Sequence, residues 1–223
     1  MSSSNSDFDA KTMLSFVVET TKSLSLYGPV FQKIAAQHAV RFLAERIGDP
    51  NPPSSETLSD CAKYISQNLG KYPNGFCALA YGIGTAQNLL EGGIASGGRS
   101  ILKEGMKAFL EKMGSASVYG SGTSTTEISK NQISVQKTMR LLSGEDATVT
   151  GDENSSSLSY KGCRFKDSCA AMIEDGVRRT GGGIECSNAR GHLAVVEYVT
   201  KIPHDYEVVN HNSPNCTFRI FKV

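Results

Sequence analysis

The sequence predicts an α+β fold in which an antiparallel sheet is covered by helices, and three features lead there. Apolar residues recur at helical spacing over most of the first 114 residues. Alternating segments appear only after Gly114, in a stretch rich in Ser, Thr and Gly. The chain closes on two alternating runs separated by a four-residue turn, Asn212-Ser213-Pro214-Asn215, the pattern of a β-hairpin. Helices first, then strands, helices and a closing hairpin give a single domain over 1–223, with a helical part at 1–114 and a strand-containing part at 115–223.

The elements follow in order. From Val30 to Ile47, Phe31, Ile34, Ala35, Phe42, Leu43 and Ile47 share one helical stripe; Gly28-Pro29 starts the helix and Gly48-Asp49-Pro50 ends it. Ser54 or Ser55 caps a second helix running to Leu69, with Leu58, Cys61, Ala62 and Ile65 inward and Gly70 and Pro73 closing it. A third helix spans Phe76 to Leu90, against the low helix propensity of Gly82 and Gly84. Gly92-Gly93 and Gly97-Gly98 make a joint, and Ile101 to Met113 forms a further helix. Residues 115–126 are expected as a surface loop. Ile133 and Val135, then Ala147 to Thr150, suggest strands; Gly151 to Asn154 turns, and Leu158 and Tyr160 lie in the returning strand. Helices are expected again from Phe165 to Arg178 and from Glu185 to Lys201, with the break Gly181-Gly182-Gly183 between them.

Composition excludes some functions. With 223 residues, 39% hydrophobic and 20% charged, the chain can build a packed core. Lys and Arg total 23 against 22 acidic residues, so the basic excess that phosphate neutralisation requires is absent, and no nucleic-acid partner is expected. No run of about 18 apolar residues occurs, so no membrane span is expected. The opening Met-Ser-Ser-Ser-Asn-Ser-Asp lacks the form of a secretory signal. Six cysteines without a CxxC then read as reduced thiols in a cytoplasmic protein, with Cys61, Cys77 and Cys169 as small buried apolar residues.

Catalytic signatures are scarce. There is no phosphate-binding loop: Gly70-Lys71 is preceded by Ile65 where the first Gly is required. No GxSxG, HExxH or paired-carboxylate pattern is present. Arg178, Arg179 and Arg190 read as a solvated face. His38 falls on the apolar stripe of its helix, His192 falls off the inner stripe and is expected at the surface, and His204 is expected in a turn. One constellation carries chemistry: Cys186 in the first turn of a helix, Glu207 and His211 four apart on one strand, and Cys216 opening the next. Period-two alternation puts Glu207 and His211 on one side. Two sulfurs, one imidazole and one carboxylate suit tetrahedral zinc. The bland alternative is two buried thiols beside a surface Glu–His pair.

Residues 186–220, CSNARGHLAVVEYVTKIPHDYEVVNHNSPNCTFRI, resemble the tail of the 4-vinyl reductase domain, a hydrocarbon-binding family that shares its fold with the TRAPP trafficking subunits. Cys186, Gly191, Glu207, Cys216, Phe218 and Ile220 carry the match, with His211 standing where the family has a cysteine. VFQKIAAQHAVRFLAERIG, residues 30–48, is similar to an early helix of the same families. The resemblance implies a homodimer with a pocket between helices and sheet for an apolar or aromatic small molecule, and zinc as a structural staple at Cys186, Glu207, His211 and Cys216. His38, Phe42 and Tyr81 are the candidate ligand contacts. The function expected is a stand-alone ligand-binding or sensor protein that acts through an output partner, and an enzyme is the less favoured reading. A TRAPP-like scaffold, or an accessory protein or enzyme of tetrapyrrole or hydrocarbon metabolism, are the alternatives.

Overall fold

The structure is a computed structural model that describes residues 9–23, 28–93, 106–107, 111, 119, 122–142, 146–179, 182–212 and 215–223. Among them are seven α-helices: α1 (Ala10–Ser23), α2 (Pro29–Phe42), α3 (Leu58–Gln67), α4 (Phe76–Gly93), α5 (Thr125–Thr138), α6 (Lys166–Glu174) and α7 (Ser187–Thr200). Four strands, β1 (Ala147–Gly151), β2 (Ser155–Tyr160), β3 (His204–Asn212) and β4 (Asn215–Lys222), form one antiparallel sheet in the order β1-β2-β4-β3. The α+β architecture, with a helical first half and a closing hairpin, is therefore as expected.

Local chemistry accounts for the helix ends. Pro29 opens α2 behind Gly28 at φ 87°, and Gly48 at φ 77° ends the π-helical turn Leu43–Ile47 that follows it. The hydroxyl of Thr57 caps α3 by accepting the Asp60 N–H at 3.2 Å. Gly82 lets α2 and α4 touch backbone to backbone. A Cβ there would overlap the carbonyl oxygen of Ala35 and come within 3.2 Å of Ala39 N. The glycine that lowers helix propensity is thus the residue the helix crossing requires.

The sheet buries one face. Leu158 and Tyr160 of β2 and Cys216, Phe218 and Ile220 of β4 alternate inward, under α5 and α7. The buried side chains form one continuous hydrophobic cluster from α1 to β4. β3 departs from simple alternation. Val208 pairs with Phe218 and Asn210 with Thr217, so Val209 is an extra, bulged residue, and it is 60% exposed.

Several expectations change. Ile133 and Val135 lie in α5, not in a strand; Ser124 caps that helix through the Glu127 N–H, so the expected loop ends earlier. His192 is fully buried, and His204 is buried at the start of β3 with Nε2 3.0 Å from the Thr125 hydroxyl. Of the basic triplet, Arg190 is buried in an ion pair with Glu185, and Arg179 pairs with Asp205 while lying over the Tyr206 ring. The helix expected over 101–113 falls largely outside the described residues.

Candidate functional site

A cavity opens between α1, α5 and the start of α7. Its wall is mainly apolar, with Met13, Phe16, Met106, Val135, Met139 and Phe165 contributing. Methionine side chains adapt to irregular occupants. The polar part of the wall is small: Gln132, Gln136, Tyr160, Asn188 and Arg164. A smaller cavity lies beside it against α4. The two share Phe16, Phe165, Ser187 and Gly191 as a common wall.

A hydrogen-bonded network backs the larger cavity. The Tyr160 hydroxyl lies 2.5 Å from His192 Nε2 and donates to Gln136 Oε1 at 3.2 Å. Gln136 also brings its Nε2 to 3.4 Å from His192 Nε2, so the three side chains close one network around that ring nitrogen, while Nδ1 has no partner. Burial pushes the His192 pKa down to about 3, so the imidazole is neutral at pH 7. Burial likewise raises the Tyr160 phenol above its usual range.

Directly behind this wall stand four buried cysteines, Cys163, Cys169, Cys186 and Cys216. They are linked in a chain of thiol contacts, Cys169 to Cys186, Cys186 to Cys216, and Cys216 to Cys163. Cys186 is the N-cap of α7, its Sγ accepting the Ala189 N–H at 3.4 Å. The thiol hydrogen bonds from Cys169 and Cys216, aided by the Ala189 amide, outweigh burial and hold the Cys186 thiol well below its usual range. The contact with Cys186 and burial push Cys169 up, and the contacts with Cys163 and then Cys186 push Cys216 up. The amide of Asn188 connects cluster and cavity: it lines the cavity and its Nδ2 lies 3.9 Å from Cys163 Sγ.

Of the expected metal set, Cys186 and Cys216 come together and His211 is the cross-strand partner of Cys216. Glu207 does not join them. The bulge at Val209 reverses the alternation, so Glu207 faces Arg219 on the outer side of the sheet, with the guanidinium 3.7 Å away. Among the described residues, no three Cys, His, Asp or Glu side chains stand ready to hold a metal ion. His38, Phe42 and Tyr81 meet one another at the α2–α4 crossing, with ring centroids 5.9 and 5.4 Å from Tyr81, and line neither cavity. Tyr81 is tied there by hydrogen bonds to Asp175 and Arg41.

A second buried ionic group adjoins the smaller cavity. Glu185 and Arg190 form a two-pronged ion pair, Nη2 to Oε2 at 2.5 Å, and the Tyr206 hydroxyl donates to Glu185 at 3.4 Å. The sequence singles out neither Glu185, Tyr206 nor the cavity amides, and Arg190, expected on a solvated face, is buried in this pair. Gln132 and Gln136, four apart, were a helical signal obscured by reading Ile133 and Val135 as a strand.

Comparison with known proteins corrects the family resemblance. No family model matches the chain, and no curated protein does. The resemblance to the 4-vinyl reductase domain and the TRAPP subunits is therefore withdrawn. Its motif has a simpler origin, since Cys186, Gly191, Cys216, Phe218 and Ile220 are buried positions where α7 packs on the hairpin. A solved structure from work on haem distortion in the H-NOX family aligns over 93% of both chains, at 12% identity and a TM-score of 0.39, too low to argue from. Among the described residues no helix is long and apolar enough to cross a membrane.

Proposed function

We propose that this protein binds a small, mainly apolar molecule in the cavity between α1, α5 and α7. The observation that carries this reading is the cavity wall: a largely apolar, methionine-rich lining with a few polar groups held in place from behind by the Tyr160–His192–Gln136 network. Binding and orientation are all the site is asked to supply.

The expected zinc is kept as part of the proposal on a changed donor set, Cys163, Cys169, Cys186 and Cys216. Support comes from donor chemistry: four buried thiols joined in a chain of contacts. The thiols would have to turn from their present chain of contacts toward one centre. A metal held there would tie β4 and the start of α7 to the segment around α6.

Native mass spectrometry of freshly purified protein, followed by denaturation, tests both parts. A co-purifying small molecule, lost in Gly191→Leu, is the result expected, because a side chain at Gly191 starts 3.5 Å from Met106 and 3.8 Å from Phe16 and grows into the shared wall. If the folded protein carries no molecule and takes up no apolar fluorescent probe, the ligand-binding reading is wrong. A mass with no metal removes the zinc.

A further inference from the structure

Two deeply buried glutamines face the adjoining cavities, each with one unpaired amide atom. Gln132, 2% exposed, lines the larger cavity. Its Nε2 donates to the Gly191 carbonyl at 3.5 Å, which fixes the orientation of the amide and leaves Oε1 without a partner. Gln87, 1% exposed, lines the smaller cavity with Nε2 unpartnered. Three other polar side chains buried as deeply are paired, Thr125 with His204, Ser129 with Ser156, and Glu185 with Arg190, while His192 keeps an unpartnered Nδ1 away from its Tyr160 contact. Packing does not explain the two amides, because methionine has nearly the same length and shape and no polar atoms to satisfy. One offers an acceptor and the other a donor, in compartments that share the wall formed by Phe16, Phe165 and Gly191.

We infer that the two cavities are compartments of one site whose ligand is an elongated, mainly apolar molecule, with a hydroxyl or N–H donating to Gln132 Oε1 and a carbonyl or carboxyl oxygen accepting from Gln87 Nε2. This inference rests on the ligand-binding reading above and adds the polarity of the ligand to it. Its apolar middle passes Phe16 and Phe165. The guanidinium of Arg190 beside the acceptor end is already matched by Glu185, so the oxygen is recognised by the neutral amide. Each end group found by its amide converts a buried orphan into a pair, and each end group missing leaves the orphan in place.

The test uses the full chain and three probes that compete with bound anilinonaphthalene sulfonate: ω-hydroxydodecanoic acid, dodecanoic acid and dodecanol. The first is expected to bind about tenfold more tightly than either single-ended probe. Gln132→Met should erase its advantage over dodecanoic acid, and Gln87→Met its advantage over dodecanol. Without ligand, Gln87→Met should melt no lower than the parent, since it loses an unsatisfied buried atom, and Gln132→Met should melt close to the parent, since it loses its orphaned oxygen together with one long bond to the Gly191 carbonyl. Equal affinities for the three probes, or preferences that survive both substitutions, overturn the inference while leaving the ligand-binding reading intact. Variants that melt well below the parent show the amides to be structural and overturn it as well. If the folded parent binds neither the dye nor any probe, the ligand-binding reading itself falls, and this inference with it.

Discussion

The Tyr160 hydroxyl and His192 Nε2 lie 2.5 Å apart, and the pair joins the inner face of β2 to α7 with an imidazole that has no exposure to water. This neutral histidine makes stability depend on pH. Its folded pKa, about 3, is below the unfolded value of 6.5. Between those values the unfolded chain binds the proton and the native protein does not. Stability is therefore full above pH 6.5 and falls on acidification toward pH 3, by about 1.4 kcal/mol for each unit below 6.5. Burial lowers His38 and His204 in the same direction. Thermal melts at pH 7 and pH 5 should show the drop, and His192→Gln should flatten it.

Gly82→Ala should destabilise the protein by about 1–3 kcal/mol, although alanine is the better helix former. The new methyl meets the Ala35 carbonyl, which belongs to the backbone of α2 and cannot rotate away. Urea unfolding measures the loss. A variant as stable as the parent would mean that α2 and α4 are not in contact at this point.

Glu185→Gln should cost about 3–5 kcal/mol, because it leaves the Arg190 guanidinium buried without its counter-charge. Replacing both residues, Glu185→Leu with Arg190→Met, should recover most of that cost. A double-mutant cycle in denaturant gives the coupling directly.

Zinc content separates the two donor sets. Cys163→Ser and Cys169→Ser should lose any bound zinc and Glu207→Ala should keep it, since Glu207 lies on the outer side of the sheet against Arg219. Elemental analysis of the three variants beside the parent decides the matter. Zinc lost from Glu207→Ala and kept in the two cysteine variants would restore the carboxylate set.

The fold was legible wherever one period of hydrophobicity dominated. The stripe in α2, the inward face of α3 and the closing hairpin were readable because each buries a single side. The site was less legible for three physical reasons. His192 and Arg190 lie on α7, which is buried nearly all round, so no polar face marks its direction. Glu207 and His211 are four residues apart, yet the bulged Val209 turns them to opposite sides, and no residue type in the segment announces it. Cys163 and Cys169 reach the cluster only through the packing of α6 and the segment before it, a long-range fact that residue spacing does not record.

Asn188 belongs to two neighbourhoods at once, with one side on the cavity and its amide against the Cys163 sulfur. Thermodynamic reciprocity then governs what happens across it. Any occupant that binds more tightly with Asn188 in this pose must strengthen the hold on Cys163 by the same factor, and any event at the sulfurs that frees Asn188 must weaken the occupant equally.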